Sequence, residues 1–226
     1  MVDLPEPELP RRTINLVSKL PNSVSLVNRS ESIMDFTTSV LEGDDRHAVL
    51  LPGGNYPCTA PLLWYTAAAL SFQGWTVHLI TWPAPLGRDY GSTLDELAQN
   101  LVRPIVAEVI DGLDHPSQVL VAGKSLGSLA MPYALERGLP GIWLTPVLTE
   151  RALAAATREL GQDHLLIGGT ADRVWNPEVA ASGAAKVLEV PDADHALQVD
   201  GDLQATLAAI TAATRAVDDF ARGLHR

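Results

Sequence analysis

From residue 47 onward, short apolar runs alternate with longer segments whose apolar positions recur every three or four residues. The runs 47–51 (HAVLL), 76–82 (TVHLITW), 119–122 (VLVA), 141–148 (GIWLTPVL), 165–168 (LLIG) and 186–190 (KVLEV) read as strands. Segments 60–74, 94–113, 126–138, 150–160 and 203–224 read as helices, with a further short helix before residue 183. Strands this apolar are buried on both faces, and a helix between successive strands returns the chain to the same sheet edge. The pattern predicts an α/β fold with a doubly wound, mostly parallel sheet and helices on both faces. Ahead of it, SVSLV and MDFTTSVLE flank the turn-forming NRSES, which predicts a hairpin over 23–42. Residues 1–22 read as a loose lead-in. No repeat or linker interrupts the pattern, so one domain over 1–226 is expected. Pro132 lies inside the segment 126–138 and should kink or shorten that helix.

Composition narrows the partners. A net charge of −11 argues against nucleic acid and against an anionic membrane. No run approaches the ~20 apolar residues of a membrane span. The single cysteine, Cys58, excludes an internal disulfide framework and suits a reducing compartment. The acidic, proline-rich start MVDLPEPELPRR lacks the pattern of a signal peptide. A cytoplasmic protein is expected.

The candidate chemistry begins with Gly123-Lys124-Ser125-Leu126-Gly127, a Gly-x-Ser-x-Gly between a buried strand and a helix. So tight a turn strains the central residue and lifts its hydroxyl above the sheet edge, while small flanking residues let the helix start close to neighbouring strands. The helix that follows aims free N–H groups at the same point. Strand–GKS–helix also suits a phosphate-binding loop, but that loop needs a glycine where this chain has Gln118.

In an open α/β sheet the reactive groups gather at the carboxyl ends of the strands. Of the six histidines, His47, His115 and His164 precede strands, His78 lies within one and His225 is in the tail. Only His195 follows a strand. Among the carboxylates, Asp163 is on the wrong side and Asp194 is too close to His195 to turn back onto its ring. Asp192 and Asp172 both follow strands. Asp172, one strand before the histidine, is the natural orienter; its alternative role is to cap the short helix near Asn176.

Gly-x-Ser-x-Gly after a strand, then GTADRVW, then DADHAL resembles the α/β-hydrolase superfamily in its nucleophile, acid, base chain order. The resemblance covers roughly residues 47–220. It implies Ser125 as nucleophile, Asp172 as acid and His195 as base, working without metal or cofactor. It also implies an oxyanion hole from the backbone N–H of Leu126 and of Gly54 or Asn55, with Pro52 where the family commonly has histidine. Almost nothing separates Leu148 from Glu150, where lid-bearing relatives insert a cap. The chain is therefore similar to the compact lidless branch, dienelactone-hydrolase-like or carboxylesterase-like, which implies a small accessible ester or thioester as substrate. Perhydrolysis on the same residues and a non-catalytic binding protein of this fold are the alternatives. Arg88 and Tyr90, on the loop 83–92, reach the reactive edge; Trp175 can line the pocket or pack; Cys58 is expected to be buried and inert.

Overall fold

The computed structural model describes residues 24–27, 35–83, 86 and 90–224. The paired runs near the start form the expected hairpin: β1 (Val24–Val27) lies antiparallel to β2 (Thr37–Leu41), with Val24 opposite Leu41. The turn between them lies outside the described residues, as does Arg88. Next come β3 (Arg46–Leu51), α1 (Pro61–Phe72) and β4 (Thr76–Thr81). Further along are β5 (Gln118–Lys124), β6 (Gly141–Leu144), β7 (His164–Gly169) and β8 (Lys186–Val190). The strands form one sheet in the order β1-β2-β4-β3-β5-β6-β7-β8, parallel from β4 to β8.

Alternation along the central strands divides the core in two. Ala48, Leu50 and Ala122 face α1 and the C-terminal helix α7 (Leu203–Gly223), meeting Leu62, Leu63 and Phe220. Val49, Leu51 and Val121 face the other way, toward α3 (Arg103–Asp111), α4 (Met131–Glu136) and α5 (Arg151–Thr157). Fully burying a side chain such as Leu50 contributes about 1.5–3 kcal/mol. Among the described residues no helix is long and apolar enough to cross a membrane.

Prolines account for the three departures from the expected elements. The helix expected over 94–113 is α2 (Leu94–Leu97), a π-helical turn (Ala98–Val102) and α3. Pro104 has no N–H for the carbonyl of Asn100 and would collide with it, and the widened turn relieves that clash. After β5 the chain makes a 3-10 turn (Ser125–Ala130) before α4, which puts Pro132 in a first turn where no hydrogen bond is lost. The strand expected over 141–148 ends at Leu144, because Thr145 turns to φ 41° and Pro146 cannot donate to a ladder. A connection of residues 145–150 then leads directly to α5, with no cap.

Candidate active site

The turn at Ser125 is fixed by contacts at its two glycines. A Cβ on Gly123 would lie 2.3 Å from the Gly127 carbonyl oxygen, and one on Gly127 would lie 2.4 Å from that of Leu51. No larger residue fits either position. Ser125 itself is held at φ 51°, a left-handed conformation that costs a non-glycine residue about 1–3 kcal/mol. Neighbouring bonds hold it there. Gly127 N–H donates to Pro52 O at 3.1 Å. The Ser128 hydroxyl donates to Ser125 O at 2.5 Å and accepts from Val147 N–H at 3.3 Å, tying the turn to the segment after β6.

His195 and Asp172 come from adjoining loops that are laced together. Thr170 N–H donates to Val190 O and Ala171 N–H to Ala193 O, both at 3.0 Å, so the segments after β7 and β8 run side by side. Asp194 folds the histidine's own loop, its carboxylate accepting from the N–H groups of Ala196 and Gln198. Asp172 Oδ2 lies 2.8 Å from His195 Nδ1, while Oδ1 accepts from Val174 N–H at 3.0 Å. The Asp172 side chain is 1% exposed, the imidazole 38%. A carboxylate can only accept, so the imidazole proton sits on Nδ1 and the lone pair of Nε2 faces Ser125 Oγ, 2.7 Å away. Asp192 is exposed, at φ 57°, and its backbone donates to Thr170 Oγ1. The short helix α6 (Pro177–Ala180) is capped by Asn176, not by Asp172.

The loop after β3 lies against this group. Pro52 O accepts from Trp82 Nε1 at 3.1 Å as well as from Gly127, and Gly53 N–H closes a turn onto Tyr56 O at 2.9 Å. Gly54 and Asn55 are exposed, and neither N–H has an acceptor among the described residues. Beside them opens a groove of about 590 Å³ whose walls include Asn55, Tyr56, Trp82 and Leu86, with no charged side chain among the described residues. Trp175 is buried and packs on Gly168, its indole N–H donating to Glu189, so it belongs to the core. Cys58 is buried as well. Tyr90 is half-buried against the α3 side of the core. Sequence reasoning missed Ser128, Tyr56 and Lys124. Ser128 is a small polar residue on an apolar helical stripe, and Lys124 fills a motif position open to any residue.

Sheet order, turn and absence of a cap define the lidless α/β-hydrolase fold. No protein-family model matches the sequence, and no curated protein matches it. Solved structures do match. An α/β serine hydrolase without a lid from Xanthomonas campestris is 17% identical, with 84% of this chain and 89% of that one covered at a TM-score of 0.63. Est1E from Butyrivibrio proteoclasticus is 14% identical over 88% of this chain and 97% of its own, TM-score 0.62, and has also been solved with ferulic acid bound. The α/β-hydrolase domain-containing protein 10 from mouse is 14% identical over 89% and 99%, TM-score 0.63.

Proposed function

We propose that this chain is a serine hydrolase that cleaves a small, accessible ester or thioester through an acyl-enzyme on Ser125. The observation that carries the reading is the unbroken relay from the Asp172 carboxylate through the His195 ring to the Ser125 hydroxyl, at 2.8 and 2.7 Å. As Ser125 Oγ attacks the acyl carbon, its proton passes to His195 Nε2. Asp172 stabilises the imidazolium that results. The carbonyl oxygen becomes an oxyanion held by Leu126 N–H and by Gly54 or Asn55 N–H; losing one such donor costs about 10²–10³ in turnover. Collapse expels the alcohol or thiol, which leaves with the proton from His195. Water then repeats the cycle: His195 takes its proton, hydroxide adds to the acyl carbon, and the acid departs as Ser125 recovers its hydrogen.

The short 145–150 connection and the half-buried imidazole favour substrates presented openly. The aromatic and apolar walls that Tyr56, Trp82 and Leu86 give the groove support an apolar or aromatic acyl group, and Est1E, of the same fold, has been solved with ferulic acid bound. One domain over 1–226 and a cytoplasmic setting, supported by the lone free thiol, complete the reading.

A fluorophosphonate probe tests it. Covalent addition at Ser125, located by mass spectrometry, is expected, with no labelling of Ser125→Ala. Turnover of p-nitrophenyl esters should fall by about 10⁴ or more in that variant, and short acyl chains should be preferred. Labelling at another serine, or none in folded protein, overturns the proposal.

A further inference from the structure

Lys124 immediately precedes Ser125, and nothing in the chemistry above uses it. Side chains alternate along β5, so Lys124 points to the face that Ala122 shares with α1 and α7. At this end of the strand, that face is covered by the loop 52–57. Lys124 is only 3% exposed, a burial that an ammonium tolerates poorly without a partner. Among the described residues its ammonium makes no hydrogen bond or ion pair. Its Nζ lies instead over the Tyr56 ring, 4.8 Å from the centroid. The stem runs beneath Gly53: a Cβ built there would sit 3.2 Å from Lys124 Cδ and 3.5 Å from Ser125 Cβ. Tyr56 is anchored at both polar ends, its hydroxyl accepting from Leu62 N–H and its carbonyl from Gly53 N–H, each at 2.9 Å.

Building on the hydrolase reading, we propose that Lys124 is a positioning residue for the reaction. Its ammonium clamps the Tyr56 ring and so holds Gly54 and Asn55 in register with Ser125, with positive potential behind the developing oxyanion. The groups around the ammonium are Tyr56 from the loop after β3, Asp172 from the loop after β7, and Asp194, which precedes His195. Burial pulls the lysine down, the two carboxylates pull it up, and the outcome is about 8. Burial holds the Tyr56 phenol above its ordinary 10. The clamp is therefore charged at neutral pH and lost as the lysine, not the tyrosine, gives up its proton.

The test compares wild type, Lys124→Met, Lys124→Arg and Tyr56→Leu by steady-state kinetics across pH, with fluorophosphonate labelling and thermal melts in parallel. Lys124→Met keeps the stem and should lower kcat by about ten- to thirtyfold, the worth of a desolvated cation–ring contact. Its KM should stay within about threefold, since the contact serves the transition state. Wild type should show an alkaline limb near pH 8 in kcat/KM that Lys124→Met lacks and Lys124→Arg moves upward. Tyr56→Leu should reproduce the kcat loss. Should Lys124→Met fail to fold, the wild-type limb and Tyr56→Leu decide. Wild type labelled at Ser125, with no alkaline limb or with variants within about twofold of it, overturns this inference and leaves the hydrolase reading intact. A wild type that is not labelled overturns both.

Discussion

The two edges of this sheet use the same residue types to opposite ends. At the amino edge His47 Nδ1 meets His78 Nε2 at 2.8 Å, the rings stacked 5.1 Å apart. Further along that edge, His164 is 2% exposed, and its Nδ1 accepts from Trp143 Nε1 at 3.2 Å. A carboxylate lies near it too, but Asp163 stands 3.9 Å away and is 54% exposed. At the carboxyl edge the proportions invert: His195 is the half-open group, and the carboxylate behind it, Asp172, is the buried one. On the proposed reading, burying the acid and leaving the imidazole reachable makes a base that can be oriented and still touch a substrate. Burying the imidazole beside an exposed acid leaves it packed among neighbours, and burial lowers its affinity for a proton. Topology decides which edge is which. In a parallel sheet the chain leaves every strand at one edge, so loops with free N–H groups collect there.

The sharpest way to break this contrast is to remove the buried acid. Asp172→Asn keeps the shape but favours the wrong imidazole tautomer, which in a Ser-His-Asp enzyme costs about 10⁴ in turnover. The same change at Asp192, exposed and bonded through its backbone, should alter turnover by less than about tenfold. Asp163→Asn, at the amino edge, should alter it by less than about twofold. Parallel kinetics and melts of the three variants decide it. A crippled Asp192→Asn would move the acid to the histidine's own loop.

Much of this was legible before any coordinates, because the residues concerned carry their constraint in their own type. Gly123 and Gly127 announce a turn where backbone meets backbone, and the apolar runs fix which ends of the strands face Ser125. Elimination along that edge leaves His195, whose ring lies between Asp172 and Ser125. What sequence hid depends on contacts between distant segments. Nothing local says that Lys124 will lie on Tyr56, or that Ser128 will bridge Ser125 to Val147. The long helix over 94–113 and the strand to 148 were overread because apolar periodicity outweighed Pro104 and Pro146, and in both places the missing N–H decided the structure. The choice between Gly54 and Asn55 as the proposed oxyanion donor turns on backbone orientation, which residue type does not encode.

A smaller effect sharpens the contrast from the other edge. Burial holds both His47 and His164 below the ordinary 6.5, so the unfolded chain takes up protons that the native state resists. Their contribution to stability is whole above about pH 6.5 and declines as pH falls toward their lowered native values. The acids held low by their partners, Glu96, Glu136 and Asp218, start from 4.5, 4.5 and 3.8, and act only in more acidic solution. Tm should therefore fall between pH 7 and 5.5 by a few degrees, since about 1 kcal/mol moves it roughly 2–4 °C at this size. His164→Asn, which keeps an acceptor for Trp143, should flatten that slope while lowering Tm overall. An unchanged slope would mean that the amino-edge imidazoles titrate as freely as exposed ones.

The smallest expected effect concerns the one thiol at the carboxyl edge among the described residues. Cys58 lies between the loop 52–57 and α1, and a thiol is intrinsically a better nucleophile than a hydroxyl, so an exposed Cys58 would compete with Ser125. Its environment removes it. The thiol is 6% exposed, its hydrogen shared between the carbonyls of Leu50 and Ile80 at 3.5 and 3.4 Å, and burial pushes its pKa up to about 12. At pH 7.5 the thiolate fraction is then on the order of 10⁻⁴ or less. Ser125 instead has the His195 imidazole 2.7 Å from its oxygen, placed to take its proton on the proposed reading. Native protein should therefore leave a thiol reagent such as Ellman's unreacted while the same reagent titrates one thiol in denaturant, and Cys58→Ala should change turnover by less than about twofold. Rapid native labelling would show that the loop 52–57 opens on the timescale of the assay, and a loop that opens so readily could not hold an oxyanion donor in register with Ser125.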